Sequence, residues 1–347
     1  MSLPLFGEEE ESPPQAKRLG PKLRALAEQG VYFGTSSWKY DGWLGSIYSP
    51  ERYHTRGKFS QKKFDDTCLA EYALTFPVVC GDFAFYQFPT PEYWKKLFDG
   101  SPASLSFAFK VPEDITVPKW PKHARYGTRG GKENEGFLRA DLFKTLFLKR
   151  VEPYSKRVSC LIFEFGTFAK STFPTPAHFF AKLDDFLGSL PRGPRYSVEI
   201  RNPEYLGAEY FALLASYNVA HVFSAWTRMP ALEDQIQLPE IFTADFTITR
   251  ALLAKGLNYE DAVNAYEPYR ETQAVHQGTR DALRDIGLAA IKRKQPAFLM
   301  VNNRLESPTA TPSPSPPAPV PVPAAAPMQV LTIGDSTAPR PAASSTR

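Results

Sequence analysis

The chain has 347 residues, 43% of them hydrophobic, and a formal net charge of +4; it is long enough to bury one large core or two modest ones. So mild a basicity falls short of the dense Lys/Arg stripes of a dedicated nucleic-acid binder and suits a small anionic partner. The three cysteines, Cys68, Cys80 and Cys160, are odd in number and form no C-x-x-C pair, which excludes a disulfide framework and a cysteine zinc site and fits a reducing, cytoplasmic compartment.

Residues 1–18 carry the acidic run Glu8–Glu11 and then Pro13 and Pro14, a composition read as disordered and unlike a signal peptide. From residue 19 to 306, β-rich runs alternate with longer amphipathic ones. The expected strands are Val31–Thr35, Pro77–Tyr86, Leu105–Lys110, Val158–Glu164, Arg195–Ile200, Ala220–Ala225, Phe242–Thr249 and Ala297–Asn302. The expected helices are Phe64–Tyr72, Pro91–Phe98, Phe137–Val151, Pro176–Leu187, Ala208–Ser216, Tyr259–Arg270 and Thr279–Lys294. Strands alternating with helices predict an α/β fold, and eight of them predict closure into a TIM-barrel-like parallel barrel. A doubly wound sheet would advertise a Gly-rich phosphate loop, and neither G-x-G-x-x-G nor G-x-x-x-x-G-K-[ST] occurs. Residues 307–347 form a Pro/Ala/Ser-rich tail in which 11 of the 33 prolines fall, a text that favours solvated polyproline II over a helix. No apolar run approaches the roughly 20 residues needed to cross a bilayer.

Strand parity locates a site. In Ser106–Lys110 the two Phe residues share one face, while Ser106, Ala108 and Lys110 share the other. Bulky residues suit the helix-facing side, so Lys110 is expected in the lumen. The same logic turns Ser197, Glu199 and Arg201 inward, with Cys160, Ile162 and Glu164, and with Cys80, Asp82, Ala84 and Tyr86. Parallel strands then bring the charged ends to one rim, where barrels of this kind carry their chemistry.

Several blocks carry a resemblance. GTSSWKYDGWLGSIYSP at Gly34–Pro50 resembles the opening motif of the YecE-like family, domain of unknown function 72, and the likeness continues through FAFYQFPTPEYW (Phe83–Trp94), FAFKVPEDIT (Phe107–Thr116), VEIRNPEYL (Val198–Leu206) and FLMVNNRLE (Phe298–Glu306). The resemblance implies a TIM-barrel-like fold and no established reaction. Where many members read V-E-x-N-x-T-F-Y on the second strand, this chain has Cys80 in place of the acid and Asp82 two residues on. Members also continue past their N-N-R segment into a final helix. Here the text turns to SPTATPSP, so the last helix is expected to be missing or replaced by the tail. That would bare an apolar flank of the first and last strands and offer a surface for self-association.

Glu199 is the expected acid/base carboxylate and Lys110 its catalytic partner. Arg201, Arg250 and Arg304 are expected to complete a cationic ring suited to carboxylate or phosphate, with Asp82, Glu164, Tyr86, Trp38, Asn302 and Asn303 as further ligand contacts. Asp245 offers another carboxylate. The loop Val111–Gly136, with Lys119, Lys122, His123, Arg125, Arg129 and Lys132, reads as a basic lid. The five histidines are dispersed and no resident cofactor is expected, although a single Mg²⁺ on Asp82, Glu164 and Glu199 stays open. These features together suit an enzyme acting on a small anion by acid/base chemistry. Two alternatives stay open: a nucleic-acid-binding or nuclease-like barrel using the basic lid and the aromatics Trp38, Tyr40, Trp43, Tyr48, Phe85 and Tyr86, and a decayed, non-catalytic family member.

Overall fold

The computed structural model describes residues 12–252 and 276–302. Eight parallel strands close a barrel: Val31–Thr35, Val78–Gly81, Ser106–Lys110, Val158–Glu164, Tyr196–Glu199, Ala220–Ala225, Thr247–Ala251 and Ala297–Val301. Each overlaps an expected strand, the seventh only over Thr247–Thr249, and they are numbered first to eighth in that order. The first strand shuts the barrel against the eighth, from Val31 opposite Ala297 to Thr35 opposite Val301, and touches the second through Gly34 and Thr35. Gly34 is required there, because a Cβ on it would meet the Val78 carbonyl oxygen at 2.0 Å.

Side chains divide by parity, as the alternation of a strand dictates. Cys80, Ala108, Cys160, Ile162, Ala220, Val222, Ile248 and Met300 pack together in the lumen. Phe33, Phe107, Phe109, Phe163, Val198, Phe223 and Leu299 belong to the larger layer between strands and helices. Helices Gln61–Thr67 and Pro91–Asp99 begin on Ser60 and Thr90, whose side-chain oxygens accept from the backbone N–H of Lys63 and Tyr93. Pro176–Gly188, Ala208–Ser216 and Gln277–Arg293 stand close to expectation. The expected Phe137–Val151 helix starts later, at Ala140, and contains a π-helical turn at Lys144–Leu148. The expected helix Tyr259–Arg270 lies outside the described residues.

Three expectations are corrected. The second strand ends at Gly81 and the chain curls into a 3₁₀ turn, Asp82–Phe85. Gly81 lies so close to the rings of Phe109 and Phe83 that a Cβ would approach them within 3 Å, and a glycine weakens a strand where it stands. The inward parity therefore stops at Cys80: Ala84 packs in the outer layer and Tyr86 is 56% exposed. The second correction concerns the start of the chain. Pro14–Arg18 and Gly20–Glu28 are helices, with Gln15, Ala16 and Leu23 buried. Gln15 N–H donates to the Ser46 carbonyl at 3.1 Å, and the Arg24 guanidinium donates to the Leu74 carbonyl at 3.0 Å. Order therefore begins before residue 19.

Thirdly, the flank of the first and last strands is covered. Val31, Phe33, Leu299 and Val301 are buried. Helix Gln277–Arg293 lies over them with Gly287 against Val31 and Leu299, and helix Gly20–Glu28 packs beside the first strand. An apolar stripe is covered by whichever amphipathic helix reaches it, and helix Gly20–Glu28 is not among the expected helices. The bare surface invoked for self-association is absent among the described residues, and the tail lies outside them.

Candidate functional site

The strand ends meet at the C-terminal mouth in a buried ion-pair network. Glu164, closing the fourth strand, accepts from Lys110 Nζ and Arg201 Nη2, both at 2.9 Å, and from Arg250 Nη1 at 2.5 Å. Glu199, closing the fifth, accepts from Arg250 Nη1 and from the Ser224 hydroxyl at 2.9 Å, with Arg201 Nη2 at 3.6 Å. Arg250 Nη2 reaches Asp82 Oδ1 at 3.3 Å. Parity brought Lys110, Glu164, Glu199 and Arg201 to one rim. Arg250 joins them from within the seventh strand, which runs on to Ala251 rather than stopping at Thr249.

The strength of the pairing sets the charge states. Burial opposes ionisation of Glu164, but Arg201, Lys110 and Arg250 outweigh it and hold the carboxyl well below the ordinary glutamate value. Burial likewise opposes the charge on Arg250, and Glu199, Asp82 and Glu164 overcome it. Beneath the network the lumen is apolar. Burial there pushes the Cys160 thiol up to about 12 and the Cys80 thiol well above its usual value, so neither is a thiolate nucleophile at neutral pH.

Above the network opens a cleft of about 220 Å³ lined by Asp82, Phe85, Tyr86, Lys110, Arg125, Glu164, Arg201, Trp226, Arg250, Leu252 and Asn302. Aromatic faces back three of its cations: Lys110 Nζ sits 3.8 Å from the Phe85 ring centre, the Arg201 guanidinium 3.8 Å from that of Trp226, and Arg125 4.9 Å from that of Tyr86. Asn302 donates to the Ser36 hydroxyl at 2.5 Å. Glu199 is absent from this lining, with no exposed surface at all. The carboxylate expected to act as acid/base is thus sealed behind Arg250.

Other expectations separate. Trp38 is buried in the outer core, edge-on to Phe83 at 6.2 Å, and its carbonyl accepts from the Tyr48 hydroxyl. It does not line the cleft, because the first loop folds its aromatics Trp43, Tyr48 and Tyr53 onto Phe64 as packing. Asp245 precedes the seventh strand and lies at the opposite end of the barrel, beside Phe246 and Arg195. Asn303 and Arg304 lie outside the described residues. The three carboxylates considered for Mg²⁺ converge on the Arg250 guanidinium, which occupies the point a cation would take. Among the described residues no group of three or more His, Cys, Asp or Glu side chains could hold a metal ion.

The basic loop is ordered on itself. Arg129 pairs with Asp114 at 3.5 Å and covers Trp120, Lys119 meets Glu133 at 3.3 Å, and Arg125 alone among the loop's basic residues lines the cleft. Sequence reasoning named Arg125 only as one lid charge and missed Trp226 and Ser224 altogether. A signal existed for both, since Ser224 and Trp226 continue the inward parity of Ala220 and Val222 past the sixth strand.

No helix among the described residues is long and apolar enough to cross a membrane. The UPF0759 protein YecE of Escherichia coli strain K12 is 24% identical over 176 residues, 50% of this chain and 50% of that protein, and its counterpart in Escherichia coli O157:H7 matches equally. The match thus spans about half the length of these curated relatives. A solved DUF72 family protein from Enterococcus faecalis V583 shares the fold at a TM-score of 0.50, with 15% identity, 79% of this chain and 89% of that one covered. Another from Thermotoga maritima MSB8 aligns at 0.49, with 19% identity over 80% and 94% of the two chains. The family model described as "Protein of unknown function DUF72" matches residues 32–311, more than half of the sequence, and the chain therefore belongs to the DUF72 family.

Proposed function

We propose that the cleft binds a small anionic molecule and that the protein is an enzyme acting on it by proton transfer at the barrel mouth. One observation carries this reading. Lys110, Arg125 and Arg201 face the cleft against two carboxylates, Asp82 and Glu164, while Arg250, Glu199 and Glu113 are buried behind it, 1%, 0% and 3% exposed. The cluster is neutral as a whole, yet the surface it offers a ligand is net positive. Arg201 and Lys110, each backed by an aromatic face, form the anion seat.

Asp82 is the carboxylate placed to move a proton. Its side chain is 37% exposed, and Arg250 holds its Oδ1. Lys110 supplies the cation that steadies charge developing on the ligand. Glu199 takes a positioning role: with Ser224 it fixes the guanidinium that orients Asp82.

The test is calorimetric titration of the purified chain with acetate, malonate and methyl phosphate at constant ionic strength, followed by mass spectrometry of any ligand retained on native purification. Saturable one-to-one binding, weakened at least tenfold in Arg201→Ala, is expected. Asp82→Asn should keep the binding and lose turnover of the retained ligand. A wild-type protein that binds none of these anions overturns the reading.

A further inference from the structure

Arg125 differs from the network cations in how it is held. It comes from the 3₁₀ segment Ala124–Arg129, outside the barrel, and its side chain is 41% exposed. Its Nη2 donates to Glu113 Oε2 at 2.8 Å and to the Tyr126 hydroxyl, which itself donates to the same carboxylate oxygen at 2.8 Å. The guanidinium is flanked by the Tyr126 and Tyr86 rings, with centres at 4.6 and 4.9 Å. One edge is therefore anchored to a buried acid and the plane is set by two rings. Among the described residues, Nε and Nη1 have no hydrogen-bond partner, and the residue lines the cleft.

We infer that Arg125 is a second anion contact, and that the ligand of the cleft is a small molecule carrying two negative charges, either a dicarboxylate or a phosphate monoester. Both two-donor edges of a guanidinium include Nη2, which is taken, so Nε and Nη1 each offer a single charge-assisted donor, with little side-chain freedom left to lose on binding. The cleft is small, about 220 Å³, so the anion seat and Arg125 address one compact molecule. Glu113 and Tyr126 set the position of the guanidinium through its Nη2. The inference rests on the anion seat proposed at Lys110 and Arg201 and adds the number of charges that the ligand bears.

The experiment compares malonate and methyl phosphate with acetate by calorimetric titration of the full chain at pH 8 and constant ionic strength, in wild type, Arg125→Ala and Arg125→Lys, with thermal unfolding of each. Wild type is expected to prefer at least one of the two dianions to acetate. The ratio should fall about 10- to 100-fold in Arg125→Ala, the loss of a charge-assisted pair. Arg125→Lys keeps the charge and loses the plane held by Tyr126 and Tyr86 with its free donors, so its ratio must fall too, which keeps the test valid if the alanine variant is poorly folded. Preference for malonate assigns a dicarboxylate, and preference for methyl phosphate assigns a phosphate monoester. An unchanged ratio in both variants overturns the second anion contact and leaves the anion seat standing, whereas a wild type that binds none of the three overturns both.

Discussion

The two ends of this barrel are closed by opposite chemistry. At the C-terminal mouth Lys110, Glu164, Glu199, Arg201, Arg250 and Asp82 interlock through charge. At the N-terminal end Tyr32 stacks on Phe298 at 5.3 Å and Phe246 meets Phe298 at 6.4 Å, an aromatic plug capped by the Arg195 guanidinium 5.9 Å from two of the rings. The larger cavity, about 730 Å³, lies beside the plug, where Leu148, Val151, Leu161, Leu187 and Phe246 form much of its wall. The mouth cleft is about 220 Å³. Size alone would direct attention away from the mouth, since this cavity and one of about 1000 Å³ beside Tyr48 and Glu71 both exceed it. Converging charges with perturbed ionisation mark a site, whereas a recess beside a packed plug marks imperfect filling.

The comparison breaks if the mouth is not held by charge. Arg250→Leu strands Glu199 and Glu164 as buried, under-paired anions, and a loss of about 3–5 kcal/mol is expected in urea unfolding. Wild-type stability in that variant would mean that the network is ornamental. At the other end Phe298→Ala should cost a comparable amount, about 3–5 kcal/mol, through cavity formation. Its cost should not change between low and high salt, because nothing charged is removed from the plug except the cover of Arg195.

Acid sharpens the contrast. The carboxyl of Glu164 is depressed in the folded state, so its contribution is fully present above the ordinary glutamate value of about 4.3 and is lost as pH falls below it toward the folded value. Urea midpoints measured from pH 7 to pH 3 should therefore drop for wild type and drop less steeply for Glu164→Gln. A parallel pair of curves would remove Glu164 from the acid response. The smallest effect belongs to Arg195→Ala, at most about 1 kcal/mol for an exposed cation over aromatic faces.

Much of the site could be read along the chain because a strand has a period of two, a local property that needs no tertiary information. That period, with parallel closure, brought Lys110, Glu164, Glu199 and Arg201 to one rim. It failed where the backbone left the strand. Asp245 precedes a strand that begins two residues later, at Thr247, and so lies at the opposite end, whereas Asp82 and Tyr86 line the cleft although their strand stops at Gly81, carried there by the 3₁₀ turn Asp82–Phe85. Trp38 was unreadable for another reason: an aromatic in a long loop has no local signal that separates a ligand platform from packing.

By itself the sequence determined the order and type of the barrel elements, the inward set of each long strand and the end of the barrel where charge accumulates. These follow from alternation, capping and turn chemistry, all of which act over a few residues. Only the tertiary structure decided that Glu199 is sealed while Lys110 and Glu164 face the cleft, that Arg250 sits where three carboxylates converge, and that helix Gly20–Glu28 covers the first strand. It also brought Arg125, from a loop outside the barrel, to Tyr86 and the anchoring Glu113. Accessibility and charge balance are sums over neighbours distant in the chain, and no window of sequence contains them.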